Sequence, residues 1–255
     1  MTEVFDAYAA YYDLLYRDKD YPGEARYVHS LLGRHGVSDG DILELGCGTG
    51  KHAEQLVRLG FAVQGIDSSP SMVQIARKRT PSDLASRLQF DVGDARSARL
   101  GKQFDAAISL FHVASYQTSN EDLAGMLRTA SAHLKTGGIF VFDFWYGPAV
   151  LTDPPTERVK RLEDGVIQVT RTARPTLWPN ENVVDVRYQV QVKQNSNGIV
   201  ADIEETHRMR YLFLPELRWM LQETGLDVVE ARSWMSGELG VDSWFGVIVA
   251  RKRQQ

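Results

Sequence analysis

The run Asp41-Ile42-Leu43-Glu44-Leu45-Gly46-Cys47-Gly48-Thr49-Gly50 limits what this chain can fold into more than any other stretch. A short apolar segment passes directly into glycines at alternate positions, and from Lys51 to Leu59 the apolar residues recur at helical spacing. The sequence therefore predicts strand, tight turn, helix. Glycines in such a turn permit positive φ and let the backbone approach a ligand with no Cβ in the way. Alone, the turn supports two readings: a ligand cradle, or a tight connection that binds nothing.

Downstream of this turn the alternation repeats. Phe61 to Asp67 reads as a buried strand, and Pro70 to Arg79 as a helix with Ser69 as its cap, Pro70 at its first position and basic residues in its last turn. Leu88–Val92 and Gln103–Phe111 read as two more strands, the second apolar on both faces as central parallel strands are. Asn120 to Leu134 carries Leu123, Met126, Leu127, Ala130 and Leu134 on one helical face and is expected to stop at Gly137 and Gly138, with a fifth strand beyond. A helix from Tyr21 to Leu32 leads into this array. Strands alternating with helices predict an α/β, Rossmann-like, doubly wound sheet that is mostly parallel.

After Trp145 the texture changes to β-branched residues alternating with polar ones, punctuated by Pro, Asn and Gly. This predicts three or four antiparallel strands, with Asn195-Ser196-Asn197-Gly198 turning between Gln189–Lys193 and Ile199–Glu205. A helix over Leu214–Thr224 and strands over Gly225–Ser233 and Trp244–Lys252 then complete seven strands of the first kind. The expected organisation is a ligand-binding unit of residues 1–146 and 211–255, with 147–210 inserted as an antiparallel sheet serving as lid or dimer element. A homodimer is compatible with its strand edges.

A net charge of -4 gives no electrostatic reason to favour nucleic acid as a partner. The first residues lack a basic segment followed by an apolar run, and no apolar stretch is long enough to span a bilayer, so neither secretion nor a membrane partner is expected. Cys47 is the only cysteine, which suits a reducing cytoplasm. The histidines are scattered and no H-x-x-x-H or paired-cysteine spacing occurs, so no metal is expected.

Two carboxylates join the glycine turn. Asp67 ends the second strand, where it can accept from both hydroxyls of a ribose or simply cap the next helix. Gly93-Asp94-Ala95 ends the third, placing Asp94 to accept from an adenine amino group. A dinucleotide fingerprint, G-x-G-x-x-G, would need glycine at Lys51 or Ala53 and is absent. The combination of ELGCGTG, Asp67, GDA and FDAAISLF resembles the class I S-adenosylmethionine-dependent methyltransferases over roughly Tyr21 to Trp145 and the last strands. The Tyr-rich start, DFWYGP and the inserted sheet are similar to bacterial enzymes that N-methylate nucleotide-linked deoxysugars.

The resemblance implies S-adenosylmethionine as cofactor and a small-molecule acceptor with an amino or hydroxyl group. It implies that Gly46, Gly48 and Gly50 pass close to the methionine and ribose, that Asp67 holds the ribose and Asp94 the adenine, and that Glu44 supports the turn. Cys47, Thr49, Ser68, Met72 and Ala95 are expected beside them, with Tyr16, Tyr21 and Phe111 near the sulfonium. The amino-terminal tyrosines read equally well as an amphipathic helix packing its rings. In the resemblance they cap the site, bringing Tyr12, Tyr16 and Tyr21 to the acceptor.

Related sugar N-methyltransferases carry a histidine after the fourth strand, where this chain has Tyr116, with His112 four residues earlier. Either can take a proton, and His112 reads equally well as a satisfied loop histidine. His207 reads as a polar residue on a strand face. The alternatives are methylation of another metabolite, such as an amine or polyketide hydroxyl, and a protein that binds S-adenosylmethionine without turnover.

Overall fold

The computed structural model of the protein describes residues 15–163, 167–194 and 198–254. Helix α1 (Tyr21–Arg34) precedes the alternating part: β1 (Asp41–Leu45), α2 (Lys51–Arg58), β2 (Ala62–Asp67), α3 (Pro70–Arg79), β3 (Leu88–Val92), β4 (Phe104–Ser109), a 3-10 turn (Val113–Tyr116), α4 (Asn120–His133) and β5 (Leu134–Tyr146). Helix α5 (Gly147–Thr152) leads into four strands: β6 (Arg158–Glu163), β7 (Ile167–Trp178), β8 (Val183–Gln194) and β9 (Gly198–Leu212). Helix α6 (Leu214–Glu223), β10 (Leu226–Ser233) and β11 (Phe245–Lys252) complete the fold.

Strands β1 to β5 are parallel in the order β3-β2-β1-β4-β5, and β11 and β10 continue beyond β5 with β11 antiparallel to both neighbours. This is the expected seven-stranded Rossmann-like sheet. Successive side chains of a strand point to opposite faces, and the core divides accordingly. Ile42, Ala106, Ile108, Ile139 and Val141 pack with α1, α2 and α3 on one side, while Leu43, Leu45, Ala107, Phe140 and Phe142 pack with α4 and α6 on the other.

The insertion is a four-stranded antiparallel sheet ordered β6-β7-β8-β9. The Lys193↔Ile199 and Gln189↔Glu204 pairings follow the expected hairpin, whose turn residues Asn195–Asn197 lie outside the described residues. The two sheets are not separate, because the end of β9 pairs in parallel with the end of β5 at Trp145↔Tyr211 and Tyr146↔Leu212, making one eleven-stranded sheet. β4 stops opposite Phe142, so β9 takes up the same edge of β5 a few residues further on. The chain leaving β4 fills the gap between them.

One expected boundary is wrong. Gly137 and Gly138 do not end the helix, which stops at His133; they lie inside β5, where Phe104↔Leu134 is followed by Ala106↔Ile139. The extra β5 residues form a bulge, and Gly137 takes φ 78° there. Among the described residues no helix is long and apolar enough to cross a membrane.

Candidate functional site

The carboxyl ends of β1 to β4 open into a single cavity of about 430 Å³. The chain turns to opposite faces after β1 and β4, so this is a switch point where open α/β sheets leave a crevice. Gly46 and Gly48 adopt φ 76° and 53°. A Cβ on Gly46 would lie 2.6 Å from Val113 Cγ2, whereas one on Gly48 would meet nothing within 4 Å, which leaves the backbone bare at the cavity wall. The amides of Gly46 and Cys47 both donate to the Ile66 carbonyl, at 2.8 and 3.0 Å, locking the turn to β2.

Asp67 ties two turns together. Its Oδ2 accepts from the Gly48 amide at 2.8 Å and its Oδ1 from the Ser69 amide at 2.9 Å. These bonds orient the carboxylate, which lines the cavity. Ser69 caps α3 by accepting from Met72 N at 3.2 Å, the role expected of it.

Gly50, expected close to the methionine and ribose, does not line the cavity, and Glu44, expected to support the turn, stands outside that lining as well. Gly50 stands at the N-cap of α2 with φ 77° and has no side chain to cap with; a Cβ there would lie 2.4 Å from Phe90 Cζ. Glu44 is buried, and the Ala53 amide in the first turn of α2 favours its charged form. Burial, with the Asp67 charge nearby, pushes its carboxyl up to about 8.

Cys47, Thr49, Ser68, Met72, Asp94, Ala95, Phe111, His112, Tyr116, Tyr16 and Tyr21 all line the cavity. Asp94 is less free than its position suggests, because Arg96 clamps it through its backbone amide and guanidinium, at 2.8 Å to Oδ1 and 2.6 Å to Oδ2. Those hydrogen bonds hold the Asp94 carboxyl below its ordinary range. Arg96 also reaches Asp122 at 2.7 Å. Phe111 meets the Tyr16 ring edge-on at 4.8 Å, and the Lys19 ammonium sits 4.3 Å from the Phe111 ring centre. Tyr12 lies outside the described residues.

Beside Tyr21, Lys51 and His52 also face the cavity. His52 Nε2 lies 2.6 Å from Glu24 Oε2, and Lys19 pairs with the other oxygen. Burial raises the Glu24 carboxyl, but these two partners outweigh it and leave it below its ordinary value.

At the far end, Phe111 and His112 hold consecutive left-handed conformations, φ 65° and 66°. Two such residues cost on the order of 1–3 kcal/mol each, and buried Asp143 of β5 opposes this by accepting from the His112 amide at 3.0 and 3.1 Å. His112 Nδ1 is 2.6 Å from Asp143 Oδ2, and its ring stacks on Phe245 at 4.4 Å. Tyr116 Oη lies 2.7 Å from His207 Nδ1, and His207 Nε2 lies 3.3 Å from Glu205 Oε2. His207 stands on a strand face as expected, and that face is buried and lines the cavity.

The expected site missed Glu205, His207, Tyr188, Met209 and Asp143. Glu205, His207 and Met209 alternate along β9, a period-two signal that marks one strand face but not what it faces. His112, Trp145 and Tyr188 also border a second cavity of about 660 Å³, lined further by Arg158, Lys160, Arg171 and Trp244.

Comparison with known proteins agrees with this geometry. A family model described as "Methyltransferase domain" matches residues 42–138. The chain is 30% identical over 186 residues, 72% of each protein, to a dTDP-4-amino-2,3,4,6-tetradeoxy-D-glucose N,N-dimethyltransferase of Saccharopolyspora spinosa. It is 28% identical over 222 residues, 86% of this chain and 84% of the other, to a dTDP-3-amino-3,6-dideoxy-alpha-D-glucopyranose N,N-dimethyltransferase of Streptomyces fradiae. A third relative, a dTDP-3-amino-3,4,6-trideoxy-alpha-D-glucopyranose N,N-dimethyltransferase of Streptomyces venezuelae, is 32% identical, with the match spanning 60% of its length. The crystal structure of Streptomyces venezuelae DesVI superposes with a TM-score of 0.80 at 25% identity, covering 97% of this chain and 98% of that one. With bare glycine backbone and the Asp67 carboxylate at adjacent strand tips, and with relatives of this extent, the chain belongs to the class I S-adenosylmethionine-dependent methyltransferases and is an enzyme of small-molecule methyl transfer.

Proposed function

We propose that the enzyme N-methylates an amino group on a nucleotide-linked deoxysugar. The observation that carries this reading is the adjacency of the two cavities: the cofactor-sized space at the strand tips shares His112, Trp145 and Tyr188 with a second one lined by Arg158, Lys160 and Arg171 beside Trp244. Guanidinium and ammonium groups next to an indole suit a diphosphate joined to a base. The relatives from Streptomyces fradiae and Saccharopolyspora spinosa supply the amino sugar.

In this reading the bare backbone at Gly46 and Gly48 lies along the methionine and ribose, and Asp67 accepts from the ribose hydroxyls. Asp94 and Ala95 border the adenine, with Arg96 fixing the carboxylate. Cys47, Thr49, Ser68 and Met72 complete that wall, and the rings of Tyr16, Tyr21 and Phe111 face the sulfonium. S-adenosylmethionine supplies an electrophilic methyl group; the protein's part is to hold a neutral amine in line with it and exclude water. Residues 1–146 and 211–255 serve the cofactor, and 147–210 shape the acceptor end.

The test is incubation of the purified enzyme with S-adenosylmethionine and each of the three amino sugars in the relatives' names, read by mass spectrometry. Formation of adenosylhomocysteine together with a methylated sugar is expected. Turnover confined to acceptors without an amine would overturn the reading.

A further inference from the structure

Tyr116 and His207 are 91 residues apart in sequence, one on the turn after β4 and the other on β9 of the inserted sheet, and they meet at the cavity wall. We propose that Tyr116, His207 and Glu205 form a proton relay in which the Tyr116 phenol touches the acceptor amine and hands its own hydrogen to His207 while taking one from the amine. The relay rests on the acceptor being an amine, as proposed for this enzyme.

The order of hydrogen bonds follows from the groups. A carboxylate only accepts, so the Glu205 contact at 3.3 Å places the ring hydrogen of His207 on Nε2. Nδ1 then accepts from the Tyr116 hydroxyl at 2.7 Å. Tyr116 lines the cavity, which puts the phenol at the space where an acceptor N–H would lie. Strand pairing fixes the rest: Glu205 and His207 share one face of β9, and Tyr188 stands directly opposite Glu205 on β8.

Among the described residues, the titratable groups packed against His207 include Tyr116, Tyr188 and Glu205, with Tyr16 and Arg171 one layer further. Tyr188 presents its ring edge-on to the imidazole at 4.9 Å. Arg171 lies 4.7 Å from the Tyr188 ring and donates to Tyr16 Oη at 3.3 Å. Burial pushes the Tyr116 phenol well above its ordinary value, with Tyr188, Tyr16 and Glu205 adding to the effect and Arg171 opposing it. Tyr116 is therefore not a standing phenolate; it passes a proton only as it gains one.

In the balanced step the acceptor ammonium gives a proton to Tyr116 Oη, the phenolic proton moves to His207 Nδ1, and Glu205 stabilises the imidazolium. The freed amine lone pair then forms the N–C bond while the C–S bond breaks with its electrons going to sulfur, and the relay's proton returns to solvent. His207 and Glu205 are positioning residues, since they act through Tyr116.

Two measurements decide the matter. In histidine-labelled protein, nitrogen NMR should show His207 neutral with its hydrogen on Nε2; a hydrogen on Nδ1 would mean that the ring donates to Tyr116 and cannot take its proton. In steady-state assays with the dTDP-linked 3-amino-3,6-dideoxyglucose, Tyr116→Phe and His207→Gln should each lower kcat by ~10–100-fold at pH 7, at or below the usual range for a positioned acid–base group. The double variant should be no slower than the slower single. The deficit should shrink towards pH 9, where solvent strips the amine of its proton beforehand, while adenosylhomocysteine binding by titration stays unchanged. Multiplying effects in the double, or a loss independent of pH, would overturn the relay. If no amino sugar is methylated, the acceptor reading fails, and the NMR result still decides the hydrogen-bond order.

Discussion

Asp67 shows how one carboxylate serves both fold and site. It accepts from the amides of Gly48 and Ser69 and lines the cavity, so its loss loosens two turns and, in the proposed reading, removes a ribose partner together. Asp67→Ala should weaken S-adenosylmethionine binding by ~100-fold, the equivalent of two charged hydrogen bonds at the lower end of their range, measured by isothermal titration. Asp143 has the complementary task of restraining the left-handed Phe111–His112 pair. Asp143→Asn leaves one acceptor oxygen where there were two and should cost about 1.5–3 kcal/mol in urea unfolding. Asp67 was legible from the sequence because its position depends only on the strand before it. The Asp94–Arg96 clamp and the Tyr116–His207 contact were not: the first depends on side-chain rotamers and the second on the register between distant strands.

At the level of elements, the strand–turn–helix at β1 and α2 was fully readable, yet the complete burial of Glu44 beside the uncapped start of α2 was not. Buried Glu44 holds its proton up to about pH 8, against an ordinary 4.5 in the unfolded chain. Between these values the folded form carries one more proton than the unfolded form, so raising the pH withdraws stability. The contribution is complete below 4.5 and is lost as the pH climbs to about 8. Urea midpoints should fall between pH 5 and pH 8.5 in the native protein, and Glu44→Gln should flatten that slope. The β5 bulge escaped sequence reading for a related reason. A Gly-Gly pair after a helical pattern signals a helix stop, but here Leu134 pairs with Phe104, so the glycines fall within a strand already under way.

Across the whole molecule, the cavity draws its walls from both sheets, with Gly48 and Asp67 on one side and His207 and Met209 on the other. Ligand binding should therefore stabilise all of it at once. Adenosylhomocysteine at about 100 times its Kd should raise the unfolding free energy by ~2.7 kcal/mol. With the continuous eleven-stranded sheet, one transition should shift as a unit when followed by both tryptophan fluorescence and far-UV circular dichroism. An early phase confined to one signal would show that the inserted strands melt independently.

The joint between the sheets is two residue pairs wide, Trp145↔Tyr211 and Tyr146↔Leu212. A seam that narrow separates two jobs in heredity as well as in space. In the proposed reading, substitutions in β6 to β8 redraw the acceptor pocket while the adenosine grip at β1 to β3 stays as it was. For the same reason, exchanging the segment between those two rungs among relatives is a compact way to transplant acceptor choice onto an unaltered methyl-donor scaffold.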